Sequence, residues 1–69
     1  MNQGNQFTYL RKKSGYTQSD VSQRIGVDQS AVAKWEAGIS YPKADKLPKL
    51  AKLYGCTIDQ LLGHEDEQN

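Results

Sequence analysis

The sequence predicts an all-α protein, a compact bundle of five short helices, and three observations carry that expectation. Apolar residues recur at spacings of three and four, as in Val21 with Ile25, Val32 with Trp35, and Leu47 with Leu50, Ala51 and Tyr54. Such spacing puts them on one side of a helix. A glycine follows each apolar stretch, at Gly15, Gly26, Gly38, Gly55 and Gly63, where a left-handed residue closes a helix. No stretch reads as a strand, and there are no repeats or low-complexity tracts.

Sixty-nine residues, 36% of them hydrophobic, allow one domain with a small core. No apolar run reaches the length of a membrane span and no signal peptide opens the chain. A lone cysteine, Cys56, cannot form an internal disulfide, which fits the reducing cytoplasm. The formal net charge is only +1, but it is unevenly spread. Residues 1–52 hold all nine Lys and Arg against four acids, a balance of +5, and residues 53–69 hold four acids and no Lys or Arg, a balance of −4. A modestly basic body with an acidic tail follows.

Residues 1–4 are small and polar and are expected to fray. The first helix is expected over 5–14, burying Phe7 and Leu10 and stopping at Gly15. Its Arg11-Lys12-Lys13 run reads first as a solvated face. Tyr16 packs under the following turn. Thr17 caps the second helix, with Asp20 three residues on in a weaker form of the capping box. Gly26 ends that helix, and the Asp28 carboxylate is placed to cap the third, whose first residues are Gln29 and Ser30. So short a turn cannot lay the two helices antiparallel. They must cross steeply, which is helix-turn-helix geometry.

Gly38 ends the third helix, and Ile39 and Tyr41 in the loop 37–43 are expected to fold back on the core. Pro48 is tolerated only in a first helical turn, so the fourth helix is expected from Asp45, as N-cap, to Tyr54. Thr57 caps a last short helix carrying Ile58, Leu61 and Leu62. Residues 64–69 have the composition of a disordered tail.

The pattern Gln18, Ser22, Gly26, Val32, Trp35, then Glu36-x-Gly38 and Pro42, resembles the phage repressor/Cro (Xre-type, lambda-repressor-like) DNA-binding family. The likeness extends upstream through Leu10-Arg11-x-x-x-Gly15-Tyr16-Thr17-Gln18, and downstream through Leu47, Leu50-Ala51, Gly55 and Thr57-Ile58-Asp59-x-Leu61-Leu62. It covers roughly residues 5–63 and implies one helix-turn-helix domain between the two end segments. Ser22 departs from the family's usual alanine, and its hydroxyl is expected to bond the carbonyl four residues back.

Enzymatic chemistry finds no support in these residues. Cys56 has no histidine near it in sequence, and in the resembled family its place is taken by a buried valine, so it reads as a small core residue. One His and one Cys cannot make a zinc site, and no glycine-rich loop suits a phosphate cradle. No cofactor, metal or small-molecule substrate is implied.

A recognition surface is better supported. With Val32 and Trp35 inward, Ser30, Ala33, Lys34 and Ala37 point outward and Gln29 lies at the edge. Small alanines let the helix approach bases closely and touch a thymine methyl, the Gln29 amide matches adenine, and Lys34 suits guanine. Gln29, Ser30, Ala33 and Lys34 are therefore the candidate base contacts. An ordinary solvent face is the plain alternative, and Trp35 could instead stack on single strands. Gln18, which resembles the family's phosphate-binding glutamine, and Lys43 in the loop are the candidate phosphate contacts. Glu36 sits where the helix dipole disfavours an acid. Arg11, which the family pattern pairs with this position, would answer it in a structural ion pair.

The resemblance thus implies a sequence-specific double-stranded DNA-binding regulator, in the usual form a repressor, that acts as a homodimer on a two-fold operator. Self-association would fall on the fifth helix, at Ile58 and Leu62. Two rivals stand beside it. One is a protein-binding module of the same fold, such as an antitoxin or anti-repressor. The other is that the chain is the DNA-binding part of a longer regulator.

Overall fold

Among the described residues, ten buried apolar side chains, drawn from all five helices, meet in one core. The computed structural model describes residues 4–63, with α1 at Gly4–Lys13, α2 at Gln18–Ile25, α3 at Gln29–Ala37, α4 at Leu47–Tyr54 and α5 at Ile58–Leu62. Phe7 and Leu10 come from α1, Val21 and Ile25 from α2, Val32 and Trp35 from α3, Leu50, Ala51 and Tyr54 from α4, and Leu61 from α5. Among the described residues there is no strand. The expected end segments, 1–4 and 64–69, lie outside the described residues, apart from Gly4, which opens α1.

Local sequence signals fix most of the helix ends. The Asp20 backbone N–H donates to Thr17 Oγ1 at 3.0 Å, and the Thr17 N–H donates to the Asp20 carboxylate at 2.9 Å, a complete capping box at the start of α2. The Thr17 N–H first, and then the Thr17 hydroxyl, hold the Asp20 carboxyl below its ordinary range by hydrogen bonding to it. Thr57 and Gln60 build the same arrangement at α5. Gly26 closes α2 at φ 84°, ψ 39°, and its N–H donates to the Ser22 carbonyl at 2.8 Å. A Cβ at Gly26 would meet nothing within 4 Å, so the demand for glycine is one of backbone conformation alone.

Four expectations are corrected. Asp28 is the N-cap of α3 in backbone conformation, yet its exposed carboxylate makes no capping hydrogen bond; at an exposed helix start, solvent can serve the free N–H groups instead. The fourth helix starts at Leu47, with Lys46 rather than Asp45 before it and Pro48 still in the first turn. Residues 44–46 form a turn ahead of it, joined by the Lys46 N–H donating to the Lys43 carbonyl at 2.8 Å. Ile39 and Tyr41 do not cover the core: they are 72% and 56% exposed, and Pro42 is the loop residue that is buried. The Tyr41 ring makes a tilted approach to Phe7, 6.4 Å between centroids. Finally, the Ser22 hydroxyl donates to the carbonyl of Ser19, three residues back rather than four, at 2.8 Å.

Leu47 and Cys56 are half-buried against the core, and burial pushes the Cys56 thiol up from its ordinary pKa. Tyr16 also packs there, with the Arg24 guanidinium 5.0 Å from its ring centroid.

Candidate nucleic-acid interface

α3 is held by its inner face and its last turn. Val32 and Trp35 are buried, at 1% and 5% exposure, and Glu36 beside them collects donors from two other helices. Arg11 Nε donates to Glu36 Oε2 at 2.6 Å, and Arg11 Nη2 donates to Oε1 at 3.1 Å, a bidentate ion pair between α1 and α3. Thr8 Oγ1 and Gln18 Nε2 also donate to Oε1, at 3.1 and 3.0 Å. The remaining Arg11 amino group donates to the Tyr16 carbonyl at 2.8 Å, which pins the approach to α2 as well.

Electrostatics follow from this geometry. Burial alone would push the Glu36 carboxyl up, but the hydrogen bonds from Arg11, Gln18 and Thr8, with the Arg11 charge, outweigh it and hold the group below the usual carboxylate range. The hydrogen bond to Glu36 in turn raises the Arg11 guanidinium. The Tyr54 hydroxyl is pushed up strongly, by burial first and then by the Glu36 charge. An acid at the unfavourable end of a helix is therefore ionised and fully partnered. The Thr8 contribution was legible in principle, because Thr8 lies one turn before Arg11 on the same face of α1.

The other side of α3 is open to solvent over most of its length. Gln29, Ser30, Lys34 and Ala37 are exposed and Ala33 is half-buried. Gln18 and Lys43 flank this face on opposite edges. Gln18 lies on the Glu36 side. Lys43 lies on the Ala31 side, where it lines a shallow groove with Val27, Ala31, Trp35, Tyr41 and Lys46. Sequence reasoning missed Tyr41 and Lys46 there, because the path of the loop decides which side chains it turns toward α3. It also assigned the Gln18 amide to an outside partner, whereas one of its donors is already used by Glu36.

Among the described residues, no group of three or more His, Cys, Asp or Glu could hold a metal ion, and no helix is long and apolar enough to cross a membrane. A short helix fixed from behind and bare in front, crossing its predecessor over a glycine turn, defines a helix-turn-helix domain with α3 as the presented helix.

The chain belongs to the phage repressor/Cro-type helix-turn-helix family: the family model described as "Helix-turn-helix" matches residues 8–61. It is 35% identical over 57 residues to the transcriptional activator BcrR of Enterococcus faecalis, covering 83% of this chain and 28% of that protein. Against the transcriptional regulator ImmR of Bacillus subtilis it is 30% identical over 66 residues, covering 96% of this chain and 52% of the relative. The chain thus spans about half the length, or less, of these curated relatives. Its fold is similar to that of the P22 c2 repressor, solved in complex with a synthetic operator, with a TM-score of 0.86 and 28% identity over 94% of this chain and 98% of that one.

Proposed function

We propose that this domain is a sequence-specific double-stranded DNA-binding transcriptional regulator of the repressor type, with α3 lying in the major groove. The observation that carries the reading is the contrast between the two sides of α3. Its inner side is buried and its last turn is locked by the Arg11–Glu36 pair. Its outer side is polar, short and unobstructed. Gln29, Ser30, Ala33 and Lys34 read base edges, and Gln18 and Lys43 hold the two phosphate strands that border the groove. Gln18 can do so while bonded to Glu36, because its second amide N–H and its carbonyl remain available. The likeness to a repressor solved in complex with a synthetic operator supports the DNA-binding reading.

One such module reads few base pairs, so the working unit is a homodimer on a two-fold site, joined through α5, where Ile58 is 37% exposed and Leu62 half-buried. No catalytic step is assigned to the domain, and it acts where duplex DNA is reached in the cytoplasm.

Selection from a random duplex pool, followed by titration of the recovered site against salt, tests this directly. A recovered motif with two-fold symmetry and binding that weakens steeply with salt is the expected result. Recovery of no motif, together with a salt-insensitive protein partner, would establish the protein-binding reading in its place.

A further inference from the structure

The helix-turn-helix over residues 18–37 carries three acids, and the fold treats them differently. Asp20 accepts from the Thr17 N–H in its capping box. Glu36 accepts from Arg11, Gln18 and Thr8. Asp28 makes no capping bond and belongs to neither of the ion pairs among the described residues. At φ −71° and ψ 150° it lies in extended backbone just ahead of Gln29, the first residue of α3, and it is exposed. An unengaged carboxylate thus stands at the leading end of the presented helix, one residue from a candidate base contact.

Beside DNA such a group has consequences. Phosphate repels it, so a carboxylate turned to the backbone would weaken binding to every sequence alike. A carboxylate accepts hydrogen bonds and donates none, so on base edges it needs an amino group. The major groove offers two, adenine N6 and cytosine N4. Adenine N6 lies beside the N7 acceptor, which repels a carboxylate, and guanine presents only the acceptors N7 and O6. Cytosine N4 has no acceptor next to it on its own base. An asparagine amide both donates and accepts, and so matches adenine instead.

We propose that Asp28 is a specificity-determining residue that accepts from the N4 amino group of a cytosine, in the base pair next to the one read by Gln29. This rests on the reading of α3 as the major-groove helix. It adds selection by repulsion to selection by attraction, because guanine at that position would set acceptor against acceptor.

The test is selection from a random duplex pool with the full chain, wild type and Asp28→Asn side by side. Asparagine caps a helix as well as aspartate does, so the start of α3 is kept. The wild type should return cytosine beside the base pair whose preference Gln29→Ala relaxes. Asp28→Asn should return adenine there, with the rest of the motif unchanged. Exchanging those two bases in one fixed duplex should then move the affinities of the two proteins about tenfold in opposite directions. Asp28→Ser keeps a capping side chain but can bond either base, and should lose the preference. The same motif from wild type and Asp28→Asn overturns the proposal. So does a uniform gain in affinity on all duplexes, which would turn the carboxylate toward the backbone. If the folded wild type selects no motif at all, the DNA-binding reading of α3 falls first and the role of Asp28 with it.

Discussion

The side-chain amide of Gln18 donates to Oε1 of Glu36 at 3.0 Å, fastening the first residue of α2 to the last turn of α3. The two helices are therefore joined at both ends, by the Gly26 turn and by this bond. The same oxygen accepts from Thr8 and Arg11 of α1. One carboxylate thus sets how α3 is held against both neighbours, and four predictions test what that arrangement and the surfaces around it do.

Removing one partner of the ion pair should cost more than removing both. Arg11 and Glu36 side chains are only 11% and 7% exposed, so Arg11→Ala leaves a desolvated carboxylate with two neutral donors. A loss of about 3 kcal/mol is expected in urea unfolding, and Arg11→Leu/Glu36→Leu should lose less. A double variant less stable than Arg11→Ala would contradict this.

Acid should weaken the domain through Glu36. Its folded pKa lies below the ordinary value of 4.5, so its charge contributes stability that is complete above that value. The contribution is then lost as the pH falls through the depressed folded value. Denaturant titrations from neutral pH downward should show this decline, and Glu36→Gln should flatten it. An unchanged pH dependence in Glu36→Gln would place the acid sensitivity elsewhere.

Trp35 is 5% exposed and packs among side chains of the core. Trp35→Ala should cost on the order of 3–5 kcal/mol, a large part of what a domain this small possesses. The readout is a thermal melt followed by circular dichroism; a cooperative transition near the wild-type temperature would contradict the expectation.

Base reading and backbone holding should separate in a matrix of single mutants against operators varied one base pair at a time. Gln29→Ala or Lys34→Ala should each cost roughly 1–3 kcal/mol on the best site, and much less on a site altered at the base that residue reads. Lysine makes fewer directed bonds than arginine, which puts Lys34 toward the low end. Lys43→Ala should weaken every operator alike and reduce the salt slope by about one unit. Equal losses for Lys34→Ala on all operators would make it a phosphate contact and require α3 to be turned.

The sequence by itself determined what depends on neighbours within a turn or two. The Thr17–Asp20 capping box, the glycine closures at Gly26 and Gly38, and the inward placement of Val32 and Trp35 all follow from residue type at fixed local spacing. Glu36 was conspicuous because it opposes the dipole of its own helix, which is again local. Tertiary structure decided the rest. The Arg11 and Thr8 bonds to Glu36 cross 25 and 28 residues, and the Gln18 bond crosses 18; helical period can set Thr8 beside Arg11 on one face of α1, but not the meeting of that face with Glu36. Tyr41 and Lys46 beside Lys43, and the exposure of Ile39, follow from the path of a loop that has no repeating backbone geometry. Asp28 holds the N-cap position of α3 without a side-chain bond, and Asp45 falls one residue before the N-cap of α4, where it pairs with Lys46 instead, because the turn over 44–46 decides where that helix begins. Side-chain spacing fixes which way a helix faces; which partner a polar group meets is fixed only when distant segments pack.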